Sequence, residues 1–147
     1  MKKLLFSLFA ATAIAFFAGA ACTSNSGTAE NYTLTENTAT LLVFTAEGIE
    51  GDMSLKDYLD GLKDQGDITY SIADGMVTEI NGSKNPADFS YCWMFYTDLT
   101  TYEGATYANP EWGTYEYGGK TLASCSNGVE LTPVISGYTY AAVYQQF

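Results

Sequence analysis

Ser54-Leu55-Lys56-Asp57-Tyr58-Leu59-Asp60-Gly61-Leu62-Lys63-Asp64-Gln65-Gly66 is the stretch that decides the architecture. Ser54 is a good N-cap residue, and Asp57 stands three positions on, an aspartate version of the capping box. Leu55, Tyr58, Leu59 and Leu62 fall at i, i+3, i+4 and i+7, which draws one apolar stripe along a helix. Gly66 supplies the C′ residue at which a helix turns left-handed and stops. The spacing predicts one helix over about residues 54–65. Asp57, Asp60 and Asp64 lie on its polar side, where three carboxylates read as a solvated face in preference to a metal cluster.

Everything outward from this helix reads as β. Residues 39–45 form a β-rich run before Glu47-Gly48, suited to a strand buried on both faces. Ile68, Tyr70 and Ile72 alternate with polar neighbours. Asp74-Gly75 then turns the chain into a partner strand over 76–80, and Asn81-Gly82 is a second turn signal. A loop containing Pro86 leads to Tyr91-Cys92-Trp93-Met94-Phe95-Tyr96, the most apolar strand, expected near the centre of the sheet. Residues 98–112 hold Gly104 and Pro110 without a clear period and read as a long loop. Residues 113–117 and 120–123 flank Gly118-Gly119 as a hairpin, and 129–134 and 138–147 read as the last two strands. The expected class is α+β, a mixed sheet packed on a single helix.

The chain has 147 residues, of which 47% are hydrophobic and 15% aromatic, enough for one ordinary domain. Its first 21 residues read as an export signal: Lys2 and Lys3, an apolar core over 4–17, then Ala18-Gly19-Ala20-Ala21. That core is shorter than the roughly 20 residues of a membrane-spanning helix. Ala18-Gly19-Ala20 suits cleavage before Ala21, giving a freely secreted protein. Ala20-Ala21-Cys22 also resembles a bacterial lipobox, which would lipidate Cys22 and make it the mature N-terminus. The small polar run that follows suits a flexible tether over 22–38, leaving a domain over 39–147. The expected location is extracytoplasmic, on a membrane through the lipid, with secretion as the alternative.

Past the leader, four lysines face 17 acids, a formal charge of −13. Such a surface repels nucleic acid and anionic headgroups, whose binding depends on Lys and Arg. Histidine is absent, and all six basic residues are lysine. Ser-His-Asp and Cys-His catalysis, the usual histidine-ligated zinc sites and arginine clamps are thereby excluded. No phosphate loop or EF-hand spacing occurs, so no cofactor or metal is expected. A carboxylate pair for glycoside hydrolysis needs only two acids, but no spacing nominates one. Cys92 and Cys125 could close a disulfide contributing about 3–4 kcal/mol in the chain-entropy picture. Alternatively, Cys92 is a small buried hydrophobe.

Twelve tyrosines and two tryptophans are the remaining signal. Aromatic faces stack on planar rings and sugars, and tyrosine hydroxyls add hydrogen bonds. Trp93, Tyr96, Tyr107, Trp112 and Tyr115 are the candidate ligand-binding residues. Against this, Trp93 reads as core and the strand tyrosines as ordinary β formers.

The order of these pieces carries a resemblance. A helix with Tyr58-Leu59-Asp60-Gly61-Leu62-Lys63 precedes Ile68-Thr69-Tyr70. Then come Gly75-Met76-Val77-Thr78-Glu79-Ile80-Asn81-Gly82, Trp93-Met94-Phe95-Tyr96 and a closing aromatic strand. Over 39–147 this resembles the C-terminal domain of transcobalamin and intrinsic factor, with related bacterial surface domains of unknown function. The resemblance implies a β-grasp-like fold and binding of a soluble ligand, with cobalamin or a related corrinoid as the ligand it nominates. In transcobalamins this domain covers one face of cobalamin. The expected function is therefore a non-catalytic, lipid-tethered binding module for a soluble ligand or another surface protein. The alternatives are an adhesive surface protein gripping protein or glycan through an aromatic patch, and a small carboxylate-based hydrolase.

Overall fold

The structure, a computed structural model, describes residues 27–147. The expected leader at 1–21, Cys22 with its lipidation, and tether residues 22–26 lie outside the described residues. The elements in chain order begin with β1 (Thr28–Ala29), β2 (Glu36–Asn37), β3 (Leu41–Thr45), β4 (Ile49–Glu50) and α1 (Leu55–Asp64). They continue with β5 (Tyr70–Ala73), β6 (Met76–Ile80), β7 (Ser83–Lys84), β8 (Tyr91–Thr97) and β9 (Thr101–Tyr102). The last four are β10 (Ala105–Thr106), β11 (Ala108–Tyr117), β12 (Lys120–Cys125) and β13 (Thr139–Gln146). The molecule is mostly β with one short helix. No helix among the described residues is long and apolar enough to cross a membrane.

The main sheet has the order β11-β12-β8-β13-β3-β2, and a second sheet has the order β5-β6-β7. β8 lies inside the main sheet, as its apolar sequence requires. Every strand pair among the described residues is antiparallel, which corrects the expected mixed sheet. A parallel pair needs a crossover back into the parent sheet. Here the chain leaving α1 enters the small second sheet instead. Four two-residue hairpin loops, Asp74-Gly75, Asn81-Gly82, Glu103-Gly104 and Gly118-Gly119, hold both residues at positive φ, the type I′ geometry that suits twisted strands.

The main sheet is curled. Five interstrand steps of about 4.8 Å would set its edges roughly 24 Å apart if it were flat. Yet the Tyr117 hydroxyl on β11 donates to Glu36 Oε1 on β2 at 3.3 Å. The two edges therefore bend toward each other on the face that carries Val43, Tyr96, Leu122 and Ala141, a small buried cluster of its own.

The opposite face holds the main core: Leu42, Phe44, Tyr140 and Ala142 against Leu55, Tyr58, Leu59 and Leu62 of the predicted stripe. The helix ends as the sequence foretold. Ser54 Oγ accepts from the Asp57 backbone N–H at 3.1 Å, and Asp57 Oδ2 accepts from the Ser54 N–H at 2.9 Å. Two further N-terminal donors are satisfied from outside, Leu55 by the Thr132 carbonyl and Lys56 by the Val129 carbonyl. An aromatic stack ties the layers together. Phe44 lies on Tyr58 at 4.0 Å and on Tyr140 at 5.1 Å, and Tyr32 meets Tyr58 edge-on at 5.1 Å.

Several expectations are corrected. The tether over 22–38 is packed structure from Gly27 on: β1 pairs with β4, β2 with β3, and the Tyr32 ring lies against Gly61 so closely that a Cβ there would overlap it. Residues 98–112 are not one loop but the β9–β10 hairpin and the start of β11. Pro110 is tolerated there because β11 is an edge strand and bulges between Asn109 and Thr114. Residues 129–134 form turns, not a strand. Pro133 lacks a donor, and the carbonyls of Val129 and Thr132 turn to α1 instead of to a ladder.

Cys92 and Cys125 are both free thiols, so of the two alternatives the bridge is not formed. Continuing the Tyr96–Ser124 register places Cys125 opposite Phe95, three residues and about 10 Å of strand from Cys92. A disulfide spans at most about 7 Å between Cα atoms.

Candidate functional site

β12 pairs with β8 only at Ala123 and Ser124, whereas β8 runs on along β13 to Tyr91. Where β12 turns away, a cleft of about 470 Å³ opens beside the unpaired side of β8. One wall is Trp93 and Phe95 of β8. The other is the tip of the β5–β6 hairpin and the turn at Asn127–Val129. The floor reaches Cys125. Among the described residues no charged side chain lines it.

The walls are fixed by hydrogen bonds made within the protein. The Trp93 indole N–H donates to the Ser83 carbonyl at 2.8 Å. The Asn85 side chain joins two strands, accepting from the Trp93 backbone N–H at 3.2 Å and donating to the Val77 carbonyl at 3.1 Å. Tyr144 braces the far side of the indole, with ring centroids 5.3 Å apart, and its hydroxyl donates to the Lys84 carbonyl. Trp93 is thus 5% exposed, core by burial and wall by position.

The mouth is apolar and open. Met76, Phe89 and Phe147 stand around it at 53%, 51% and 86% exposure. Burial pushes the Cys125 thiol up to about 12, and it also raises Cys92. Both are protonated near neutrality and are poor nucleophiles there.

The other sequence candidates do not join Trp93. Tyr96, the next-but-two residue on the same strand, faces the opposite side of the sheet, tilted against Tyr115 with centroids 5.8 Å apart. Gln145 Nε2 donates to the Tyr96 hydroxyl at 2.8 Å. Trp112 rides on the β11 bulge at 62% exposure, and Tyr107 is half-buried with its backbone held by Thr100. The structure therefore brings Tyr96 and Tyr115 together and leaves Trp93, Tyr107 and Trp112 apart. The residues missed from the sequence are Met76, Phe89, Phe95 and Phe147. Phe89 had a local signal, being a lone large apolar side chain in an otherwise polar loop.

Two of the three helix carboxylates, Asp57 and Asp60, have structural partners. Asp57 completes the capping box. Asp60 receives hydrogen bonds from Lys56 Nζ and from the Tyr70 hydroxyl. Burial works to raise the Asp60 carboxyl, but those two donors outweigh it and hold it below its ordinary value. Among the described residues no three metal-ligating side chains converge.

Compared with protein families, curated proteins and solved structures, the chain matches none.

Proposed function

We propose that this chain is a non-catalytic, lipid-tethered extracytoplasmic binding module that holds a soluble ligand in the Trp93 cleft. The observation that carries the reading is the cleft itself: about 470 Å³, with aromatic walls braced from behind and an open mouth. Small-molecule sites occupy this size range and are largely apolar and preformed. The leader, the lipobox-like Ala20-Ala21-Cys22 and the acidic surface support the location and argue against nucleic acid. One helix packed on a face of the main sheet supports a β-grasp-like architecture, here in a wholly antiparallel form and with the sheet curled on its other face. On the resemblance to the transcobalamin C-terminal domain, a corrinoid is the first ligand to try, one face of its ring lying over the mouth.

The test uses the chain from Cys22 on. Titration calorimetry with cobalamin and cobinamide examines the corrinoid ligand. Exposure to a bacterial envelope extract, followed by mass spectrometry of whatever small molecule stays bound, examines the cleft more broadly. The expected result is one retained molecule released by denaturation. No heat and no retained molecule would overturn the reading. The adhesive alternative rests on the exposure of Trp112, and it predicts that envelope glycan or protein is captured by the wild type but not by Trp112→Ala. Mass spectrometry of the native N-terminus tests the lipid, since an unmodified Ala21 terminus contradicts it.

A further inference from the structure

We infer that the ligand of this cleft is an uncharged, predominantly apolar small molecule, and that Phe89 is the side chain that closes on it and selects it. The inference rests on the binding-module reading above and deepens it, and it disfavours a corrinoid, whose many amide side chains make it predominantly polar.

Charge sets the ligand class. Seventeen acids and four lysines stand among the described residues, yet none of their side chains lines the cleft. An anion would find no counter-charge there and would approach through a field of like sign. A cation would leave its hydration for walls that offer no aspartate or glutamate side chain. Either transfer is costly without a partner. Asn85, a polar side chain within the walls, already spends its amide on Trp93 and Val77. An apolar molecule gives up no hydration of charge on entering and meets Met76, Phe89, Trp93 and Phe95.

Phe89 is set apart by its backbone. Four non-glycine residues among those described have positive φ: Asp74, Asn81, Glu103 and Phe89. The first three each precede a glycine in a two-residue hairpin loop, where the turn demands that geometry. Phe89, at φ 53°, precedes Ser90 and sits in no such loop. A bulky side chain in this region is a strained outlier. Its neighbours hold it there: the Phe89 N–H donates to the Pro86 carbonyl at 3.0 Å, Asp88 Oδ1 accepts from the Ser90 N–H at 3.0 Å, and the Phe147 N–H donates to the Ser90 carbonyl at 3.1 Å. Strain held in place by surrounding contacts gathers at ligand clamps. Half of Phe89 is exposed at the mouth, where its ring adds little to the core but is placed to cover an apolar occupant of the cleft.

The test uses the fluorophore phenylnaphthylamine and its sulfonated counterpart, anilinonaphthalene sulfonate, which differ by one negative charge. In a Trp112→Phe background the remaining indole, Trp93, reports whether the probe sits in the cleft. The uncharged probe should quench Trp93 and bind at least about tenfold tighter than the anionic one. Phe89→Gly should weaken the uncharged probe by about fivefold or more, with an unchanged or higher thermal midpoint because the strain is gone. Met76→Glu, at an exposed strand position that tolerates charge, should weaken it as much. Equal affinity for both probes, or no binding of the uncharged one, overturns the ligand class. If the wild type then still retains a charged molecule from envelope extract, the binding-module reading stands alone. Undiminished binding by Phe89→Gly overturns the role of Phe89.

Discussion

The two faces of the main sheet are built from the same strands, yet they differ in what covers them. β8 sends Trp93 and Phe95 to one side and Met94 and Tyr96 to the other. β13 divides Tyr140 and Ala142 from Ala141 and Val143 in the same way. One side is roofed by a separate layer, α1 and the β5-β6-β7 sheet. The other is sheltered by the sheet's own curvature, with Tyr115 and Tyr117 half-buried over it. A roof that stops short leaves a cleft at its margin, and that is where Trp93 lies. Curvature alone closes evenly on its contents. Aromatic side chains stand on both faces, more of them on the roofed one, so residue type alone does not place the site; the layer boundary does.

Core truncation should break this contrast most strongly. Leu62→Ala, beneath the roof, should cost about 2–5 kcal/mol, and Leu122→Ala, equally buried on the curled face, about 2 kcal/mol, because half-exposed tyrosines there can settle into the gap. Urea denaturation of both variants checks it, and a larger loss at Leu122 would contradict the two-layer account. Gly61→Ala should be destabilising by about 1–3 kcal/mol through overlap with Tyr32. Helix propensity alone predicts a gain of about 1 kcal/mol, and that sign should return in a Tyr32→Ala background. A thermal double-mutant cycle reads both.

Alkaline pH should act on the cleft side. Cys125, pushed up to about 12 by burial, keeps its proton in the folded state after an unfolded thiol, near 8.5, has lost its own. The unfolded chain then binds fewer protons, so stability is intact below about pH 8.5 and falls as pH rises toward 12. Tyr70 is raised by burial and then by the Asp60 hydrogen bond, and it adds in the same direction at higher pH. Urea midpoints at pH 7 and pH 10 should separate, and Cys125→Ala should narrow the gap. The smallest effect is expected at Trp112, where alanine should shift stability by no more than about 0.5 kcal/mol and leave Trp93 fluorescence unchanged.

Local chemistry was legible. Ser54 and Asp57 with the Leu55–Leu62 stripe gave the helix and both its ends, because caps and periodicity are written within a dozen residues. Asp74-Gly75 and Gly118-Gly119 marked two hairpins and Asn81-Gly82 a turn, since each dipeptide tolerates positive φ, though the short β7 after Asn81-Gly82 was not read. Glu103-Gly104 makes the same turn, but glutamate has no such preference, and the β9–β10 hairpin was read as loop. Distance hid the rest. Small polar residues around Tyr32 suggested a tether, while what holds that segment is a ring seated on Gly61, 29 residues away. The cleft was half legible: Trp93 was singled out for its type, but Met76, Phe89 and Phe147 meet only after three separate segments converge. Spacing along the chain records none of that.

The borders of the main sheet have a consequence for how molecules of this chain behave when crowded. A long, straight, unpaired strand invites a neighbour to add its own, and fibres grow from such templates. Here one border, β2, is two residues long, and the other, β11, is broken by a proline and a bulge. Neither offers a run of free donors and acceptors long enough to copy, so a dense array of these domains can remain a collection of separate monomers.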